Sequence, residues 1–323
     1  MNVINSSDPY KSLPNITEFS LTDKQIKDLF FKLDEKATAK IVYEECFRVS
    51  SRPGPHIIGY TNVTCPIRTH VGEKGGDALS PLPANRVHAN HIEFNLGQNV
   101  VQVVCAQAPQ VENEAEFWIT ALETKALAIF DLTHEGDTNF RRYYPVDKDE
   151  HYVTKIGLKE VHLHTIHTEA SIQFLGSEGH LIENCTYRVN GIVATKNDEE
   201  LIHKENTEGE IARYHYKSWP DHGAPSLEDF SQLIETLHQV SNTAPERPVW
   251  IHCRGGVGRS GTAAVGLAIR QAFELDAAPK DRSEMVKWVN GLILQARQQR
   301  SLMMVQTKDQ YGLLIRYTEQ LMK

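Results

Sequence analysis

The segment HCRGGVGRSG, residues 252–261, places one cysteine, two arginines and four glycines between the hydrophobic run VWI and an alanine-rich stretch. A strand that ends at Cys253, a glycine-rich turn and a following helix would point several backbone N–H groups into the turn, an arrangement that binds anions. Arg259 follows the cysteine in the same segment and could hold two oxygens of a tetrahedral group with its guanidinium fork. The loop is therefore predicted to bind a phosphate-sized dianion.

The thiol of Cys253 has surroundings that would activate a nucleophile. The helix N-terminus and Arg259 both favour thiolate over thiol, so the sulfur is predicted to be ionised at neutral pH. Ser260 could donate a hydrogen bond to the sulfur and ease its departure, whereas His252 is better suited to ordering the loop than to acting as a base. The loop residues predicted to bind the phosphate are Arg254, Gly255, Gly256, Val257 and Gly258.

The same loop could also be a nucleotide-binding loop or a structural turn with an inert buried cysteine. A nucleotide-binding loop of the form GxxxxGK[ST] needs a lysine before the serine or threonine, and these glycines are not followed by one. A buried cysteine at the end of a strand is common and usually inert, so Cys253 taken alone would more often be a core residue. Arg259 favours the catalytic interpretation, because an inert thiol does not require a guanidinium opposite it.

A thiolate that attacks a phosphate ester expels an alkoxide or phenoxide and becomes a cysteinyl phosphate. The departing oxygen needs a proton, so a general acid is also required. The segment YHYKSWPDHGAPS, residues 214–226, carries Asp221 directly after the stiff Trp219-Pro220 pair. By itself this segment could be an ordinary turn that precedes a helix near Ser226. In a chain that also carries the cysteine loop, we predict that Asp221 is the acid.

Breaking a cysteinyl phosphate requires an oriented water molecule, which an uncharged amide can position. The segment RSLMMVQTKDQY, residues 300–311, supplies Gln306 and Gln310. Glutamines near the start of a helix are usually solvated surface residues, so this assignment depends on the other motifs.

Three of these motifs occur together in the order WPD, HC-x5-RSG and MVQTKDQY, and in this order they closely resemble the cysteine-based protein tyrosine phosphatases. CAQAPQVENEAEFW at 105–118 and FRRYYP at 140–145 are similar to further segments of that family. The resemblance spans residues 85–323, and the Arg254-Gly255 pair looks more like the secreted bacterial members. It implies an α/β fold with a mixed central β-sheet flanked by helices and a phosphate-binding loop between a strand and a helix.

The resemblance also implies a role for each residue of the site. Cys253 would be the nucleophile, Arg259 the phosphate-binding arginine, Asp221 the general acid and later base, and Gln306 the residue that positions water. Gln310 would assist, and Gln310 and His252 join the substrate-binding set. A glutamate braces the loop arginine in the family, and Glu135 lies near that position. The resemblance implies no cofactor and no metal.

Two departures from the family concern substrate recognition and the backbone. The segment NRVHANH, residues 85–91, replaces an Asn-Arg-Tyr segment, so the aromatic wall that grips a phosphotyrosine ring is predicted to be missing or rebuilt. Ala108 stands where the family has glycine, which should be tolerated if the backbone there is not left-handed.

The remaining sequence predicts the elements that position these residues. Short β-rich runs at 100–105, 127–132, 211–216 and 249–253 alternate with helical patterns at 112–125, 226–240, 283–297 and 307–322. Alternating residues between 158 and 190 predict half-exposed antiparallel strands. The acidic stretch 196–210 is interpreted as a solvated connection.

Three segments are predicted along the chain. Residues 1–20 form a flexible tail, residues 21–84 a helical segment with loops that caps the catalytic domain or binds a partner, and residues 85–323 the catalytic domain. Thr22 and Gln25 form a capping-box pattern from which a helix should begin. The partner of the N-terminal segment is unknown.

Composition narrows the partners and the compartment. A formal net charge of −8 argues against nucleic acid, and no run is long and apolar enough for membrane insertion. The cysteines form no CxxC pair and are five in number, at Cys46, Cys65, Cys105, Cys185 and Cys253, which favours a reducing compartment. The expected location is the cytoplasm, or the cytosol of a host cell if the chain is a bacterial effector.

Metal is not expected at VHLHTIH, residues 161–167, because His162 and His164 should share the solvent face of a strand without a further ligand at a suitable spacing. The predicted activity is therefore hydrolysis of phosphotyrosine on proteins through a cysteinyl phosphate. A dual-specificity or inositol polyphosphate phosphatase is the alternative within enzymes, and a catalytically silent phosphotyrosine-binding module is the alternative from another class.

Overall fold

The structure is a computed structural model that describes residues 21–33, 87–137, 141–145, 147, 150–173, 181–197, 200–301 and 303–323. The predicted tail at 1–20 and residues 34–84 of the predicted N-terminal segment lie outside these residues. Within the described ranges, strands form one mixed sheet with helices packed against it, which confirms the predicted fold class.

The bounds of the elements follow the chain. The strands are β1 Ala89–Leu96, β2 Asn99–Gln107, β3 Ala128–Asp131, β4 His151–Ile156, β5 Lys159–Gln173, β6 Leu181–Asn197, β7 Glu200–Tyr216 and β8 Val249–Cys253. The helices are α1 Asp23–Lys32, α2 Glu114–Glu123, α3 Leu227–Thr243, α4 Gly258–Glu274, α5 Arg282–Gln299 and α6 Lys308–Leu321. The order of the strands across the sheet is β1-β2-β8-β3-β7-β6-β5-β4.

Strand β8 lies between β2 and β3 and is parallel to both. Its sequence VWIHC is buried on both faces, as is usual for a parallel strand covered by helices and loops. Side chains alternate between the faces, so Val249, Ile251 and Cys253 contact the larger hydrophobic core beside α3 to α6, while Trp250 belongs to the smaller core on the opposite face. The nucleophile candidate is thus held at the carboxyl end of a strand that is buried at every position.

The predicted helices are confirmed, and their ends have identifiable caps. Ser226 accepts a hydrogen bond from the Asp229 N–H at the start of α3, and Thr307 accepts one from Gln310 N–H at the start of α6. The predicted capping box at Thr22 is present in α1. This helix packs on α6, where the ring centroids of Phe30 and Tyr311 lie 5.8 Å apart.

The acidic stretch 196–210 is not a connection, which corrects the prediction. Strand β7 begins at Glu200 and pairs antiparallel with β6 along its whole length, with Asn197 opposite Glu200. High charge predicts solvent exposure, and solvent exposure is compatible with a strand because its backbone groups pair with the neighbouring strand. The half-exposed antiparallel strands expected between 158 and 190 are present as β5 and β6.

Candidate active site

The loop from Cys253 to Gly258 connects the end of β8 to the first turn of α4. The Cys253 side chain is 3% exposed, and the Gly256 N–H donates to Sγ at 3.3 Å. Gly256 adopts a φ of +69°, which turns the loop so that its N–H points at the sulfur. One N–H of the loop therefore contacts the thiol directly, close to the N-terminus of α4.

Gly256 offers a direct test of the loop, because both its φ and its contacts exclude a side chain. A Cβ at this position would lie 2.2 Å from the carbonyl oxygen of Ala106. We expect Gly256→Ala to lower the free energy of unfolding by more than the roughly 1–2 kcal/mol of left-handed strain alone. Gly97 has the same φ of +69° with nothing within 4 Å, so Gly97→Ala is the matched control in urea unfolding. Equal losses in the two variants would contradict the close approach.

Arg259 is the second residue of α4 and is 1% exposed. Its guanidinium donates to Asp137 Oδ2 at 2.7 Å, to the Trp219 carbonyl at 3.0 Å and to Asp221 Oδ1 at 3.1 Å. Burial by itself would lower the pKa of Arg259, but the neighbouring Cys253, Asp137 and Asp221 outweigh it and raise the pKa. The positively charged guanidinium of Arg259 therefore interacts with both Cys253 and the loop that carries Trp219 and Asp221.

Asp137, and not Glu135, braces Arg259. The turn at 134–137 is closed by an Asp137 N–H to His134 carbonyl hydrogen bond of 2.8 Å, which directs the Asp137 side chain inward. The Glu135 side chain is 68% exposed and lies 3.5 Å from Lys217 Nζ. Glu135 lies on the solvent side of this turn, so the residue that contacts Arg259 is two positions after the expected one.

Asp221 lies at the tip of a loop that is tied to the phosphate loop. Trp219 is fully buried, and its indole N–H donates to the Gly223 carbonyl at 2.9 Å, which closes the tip. The Asp221 carboxylate contacts Arg254 at 3.2 Å as well as Arg259. His222 adopts a left-handed φ of +59°, which turns its backbone at the mouth of the site. The predicted acid is thus held against the phosphate loop.

The two glutamines have different positions. Gln306 lines the cavity above the thiol, and a Cβ on Gly258 would lie 3.0 Å from its Oε1, so this residue contacts the loop closely. Gln310 is 1% exposed and does not line the cavity. Its Oε1 accepts from the Gln306 N–H at 2.9 Å, and its Nε2 donates to the Gly223 carbonyl at 3.3 Å. Gln310 therefore links the segment that carries Gln306 to the loop that carries Asp221.

These groups enclose a cavity of about 210 Å³, lined by Asp221, His222, Cys253, Arg254, Gly255, Val257, Gly258, Arg259, Met303 and Gln306. Most of the predicted site residues are therefore brought together around one small space. His252 is fully buried and does not line it, which argues against direct substrate contact by its side chain. The Ser260 hydroxyl is buried and has no hydrogen-bond partner among the described residues.

Sequence reasoning missed the residues that support the loop from behind. Arg300 is fully buried and donates to the Gly256 carbonyl at 3.0 Å, to Asn90 Oδ1 at 2.7 Å and to His88 Nδ1 at 2.9 Å. Residues 87–91 therefore brace the loop and enter β1, and none of them lines the cavity around Cys253. The sequence shows an arginine directly after a helical pattern, but two of its partners, His88 and Asn90, are about two hundred residues away along the chain.

The backbone at Ala108 explains why alanine can stand where the family has glycine. Ala108 is not among the described residues with positive φ, and its N–H donates to the Cys253 carbonyl at 2.9 Å. The condition for tolerating alanine in place of glycine is therefore met, and this segment holds the carbonyl of Cys253.

Two histidines of β5, His162 and His164, contact His151 on the neighbouring strand β4. His151 on β4 stacks on His164 with centroids 4.1 Å apart, and its Nε2 lies 3.0 Å from His162 Nδ1. His162 Nε2 lies 2.8 Å from a Glu160 carboxylate oxygen, so these rings form a hydrogen-bonded chain. In the part of the chain that the structure describes, no group of three or more His, Cys, Asp or Glu is placed to hold a metal ion.

Two surface features bear on partners. A larger open cavity of about 590 Å³ lies between α3, α4 and α6, but no residue of the phosphate loop lines it. None of the helices in the described ranges has the length and apolar character needed to span a bilayer.

Comparison with known proteins agrees with this geometry. The chain is 28% identical over 247 residues to tyrosine-protein phosphatase 3 of Dictyostelium discoideum, a match that covers 72% of this chain and 22% of that protein. It is also 28% identical over 215 residues to tyrosine-protein phosphatase 2 of the same organism, covering 64% of this chain and 48% of that protein. The chain thus spans less than half the length of these relatives.

Solved structures show the same fold. The catalytic domain of human protein tyrosine phosphatase non-receptor type 18 superposes with a TM-score of 0.67 at 20% identity, covering 92% of this chain and 96% of that one. PTPN18 in complex with HER2 phosphopeptides gives a TM-score of 0.67 at 21% identity, covering 92% and 93%. The family model for protein-tyrosine phosphatase matches residues 60–319 and so begins inside the segment 21–84. This match covers well over half of the sequence, and the chain belongs to the protein-tyrosine phosphatase family.

Proposed function

We propose that this chain hydrolyses phosphotyrosine on proteins through a covalent cysteinyl phosphate. The observation that carries the proposal is the convergence of Cys253 Sγ, the Arg259 guanidinium and the Asp221 carboxyl on one cavity of about 210 Å³. An inert core cysteine would not be surrounded in this way, and a binding module would not need the acid. Membership of the family supports the same reaction.

In the first step, the phosphate dianion binds to the N–H groups of residues 254–258 and to the fork of Arg259. The Cys253 thiolate attacks phosphorus, so a P–S bond forms while the P–O bond to the tyrosine breaks. Protonated Asp221 gives its proton to the departing phenoxide oxygen. The products are a free tyrosine side chain and a phosphorylated cysteine.

In the second step, water replaces the tyrosine oxygen in line with the P–S bond. Gln306 orients this water, and the Asp221 carboxylate accepts its proton as a P–O bond forms and the P–S bond breaks. The Ser260 hydroxyl, which is buried without a described partner, is free to donate to the departing sulfur. Inorganic phosphate leaves, and the thiolate and the protonated acid are regenerated.

Arg254 adds a second positive charge at the mouth of the cavity. Its guanidinium contacts Asp221 at 3.2 Å, and Arg259 contacts the other carboxylate oxygen at 3.1 Å. A bound phosphate would take the fork of Arg259, which leaves Arg254 as the partner that keeps Asp221 above the ester oxygen. We assign Arg254 and Gln310 to positioning the acid loop, in addition to the substrate-binding role expected for them.

The proposed substrates are phosphotyrosine-containing proteins, as in the HER2 phosphopeptide complex of the structural neighbour. The proposed location is a reducing one such as the cytoplasm, and the described cysteines Cys105, Cys185 and Cys253 are all free thiols. The relatives named above come from a slime mould, and they give no support to the closeness to secreted bacterial members that the Arg254-Gly255 pair suggested.

A substrate comparison tests the function. With the intact chain in the presence of a chelator, we expect kcat/KM for a phosphotyrosine peptide to exceed that for the matching phosphoserine peptide by at least about 10²-fold. The shorter side chain would leave its phosphorus out of reach of Sγ, and misplacement by 1 Å can cost about that factor. Inositol hexakisphosphate should be a poor substrate. Equal rates on the two peptides would favour a dual-specificity enzyme, and no turnover of any substrate would favour a binding module.

A further inference from the structure

The turn between α5 and α6 contains a valine in a backbone conformation that its side chain disfavours. Val305 directly precedes Gln306 and adopts a φ of +59°, in the left-handed region. A β-branched residue is an outlier there, because its Cβ crowds the following carbonyl oxygen. The residue is fully buried. Such strain persists only where the surrounding structure holds it, and it is concentrated at functional sites.

Arg297, in the last turn of α5, holds the two carbonyl groups of this strained turn. Its Nε donates to the Met304 carbonyl at 3.0 Å, and its Nη2 donates to the Val305 carbonyl at 3.3 Å. The arginine is 1% exposed, so bulk water does not compete for these bonds. Because the guanidinium is a rigid planar fork, it can satisfy two consecutive carbonyls only over a narrow range of the dihedral angles between them. Arg297 therefore restricts the backbone at Val305.

The N–H groups of the turn are held by the phosphate loop and by α6. The Val305 N–H donates to the Val257 carbonyl at 3.4 Å, and the Gln306 N–H donates to Gln310 Oε1 at 2.9 Å. The turn also lies against α4 so closely that a Cβ at Gly261 would be 3.0 Å from the Val305 nitrogen. The strained conformation is thus fixed from α5, from the start of α4 and from α6.

The conformation of this turn determines where the Gln306 amide lies. Gln306 lines the cavity that contains Cys253, whereas Arg297 does not line it. A Cβ on Gly258 would lie 3.0 Å from Gln306 Oε1, so the amide is held close to the loop. If Val305 relaxed to a negative φ, the direction of the chain at the next residue would change and the amide would leave this place. Arg297 can therefore act on the site from outside the cavity.

We propose that Arg297 is a positioning residue for the second step of the reaction proposed above: it holds Val305 in the left-handed conformation and so places the Gln306 amide against the attacking water. The inference rests on that reaction, in which Gln306 acts on water and not on the phosphate ester. Formation of the cysteinyl phosphate depends on other groups, namely the N–H groups of the loop, Arg259 and Asp221. Loss of Arg297 should therefore slow hydrolysis of the intermediate and not its formation.

Rapid mixing of Arg297→Met with an aryl phosphate whose leaving group is a strongly acidic phenol separates the two steps. We expect a burst of phenol at the wild-type rate, followed by a steady rate that is about 10-fold to 10²-fold below that of the wild type, because misplacement of a reacting group has effects of that size. The burst counts the active enzyme, so a lower yield of folded variant does not alter the result. Slowing of both phases, or of neither, would overturn the inference.

Competition by an added alcohol gives a readout that a loss of stability would not change. The alcohol oxygen attacks phosphorus, its proton goes to the Asp221 carboxylate and the P–S bond breaks, so an alkyl phosphate forms in place of inorganic phosphate. With glycerol and a phosphotyrosine peptide, the ratio of glycerol phosphate to inorganic phosphate should be about 10-fold higher for Arg297→Met, because attack by water depends on the Gln306 amide. Phosphorus-31 NMR measures this ratio, and an unchanged ratio would contradict the positioning role.

Arg282→Met is the matched control. Arg282 lies on the same helix, roughly 22 Å along it from Arg297. Its Nη2 donates to Glu319 Oε1 on α6 at 2.7 Å. The burst, the steady rate and the product ratio of this variant should equal those of the wild type. A change in the product ratio as large as that of Arg297→Met would mean that any loss of an arginine between these helices disturbs the site.

The double variant Arg297→Met/Val305→Gly tests whether the arginine acts through the strained backbone. Glycine adopts the left-handed conformation without the penalty of a Cβ, so the double variant should hydrolyse the intermediate at least about 5-fold faster than Arg297→Met. No gain would overturn the inference. A wild type that turns over no substrate would overturn the proposed function and this inference with it, whereas normal turnover with an unaltered second step in Arg297→Met would overturn the inference alone.

Discussion

Replacing Cys253 with serine is expected to abolish turnover of a phosphotyrosine peptide while binding of that peptide persists. The sulfur is the attacking atom, and removal of an enzyme nucleophile lowers kcat by as much as about 10⁶-fold. The hydroxyl of serine fits the space of the thiol, and the N–H groups of the loop and Arg259 still hold the phosphate. Steady-state kinetics and calorimetric titration with the phosphopeptide measure the two effects.

Cys105→Ser is the matched control, because Cys105 lies buried on the strand next to β8. Burial raises the pKa of the Cys105 thiol to about 12, so it is not a thiolate at neutral pH. This variant should keep its turnover. If Cys253→Ser kept its activity, or if only Cys105→Ser lost activity, the assignment of Cys253 as the nucleophile would be wrong.

Replacing Asp221 with asparagine is expected to lower kcat on the same peptide by about 10²–10⁴-fold, the usual contribution of general acid catalysis. The amide has the shape of the carboxyl group but cannot give a proton to the phenoxide. The loss should be much smaller for an aryl phosphate whose leaving group is a strongly acidic phenol, since that phenoxide departs without a proton. A comparison of kcat for the two substrates in the wild type and the variant measures the difference.

Glu135→Gln is the control for this second experiment. Glu135 is exposed near the same loop and contacts only Lys217 among the ion pairs described for it, so its removal should leave both substrates unaffected. An equal loss on the two substrates in Asp221→Asn would mean that Asp221 shapes the loop and does not supply the proton.

Much of the fold was readable from the sequence because periodicity is a local property. The helix expected at 283–297 is Arg282–Gln299, and the strand expected at 249–253 is Val249–Cys253. The failures have physical causes. Strand β1 was not predicted, because residues 85–91 were compared with a pocket segment of the family and the alternation of buried and exposed residues in Ala89–Leu96 was not considered. The start of β7 was missed because its charge was taken to indicate a loop.

For the site, the sequence by itself determined the groups that share one short segment. Cys253, Gly256 and Arg259 are brought together by a single turn at a helix N-terminus, so their order along the chain already implies their chemistry. Tertiary structure alone decided the supports, because these come from distant elements. Asp137 and not Glu135 contacts an arginine 122 residues away, and Arg300 reaches the loop from beyond α5. Val305 lies against Gly261 and Val257 only because the turn after α5 packs on the start of α4, and no local pattern encodes which elements become neighbours.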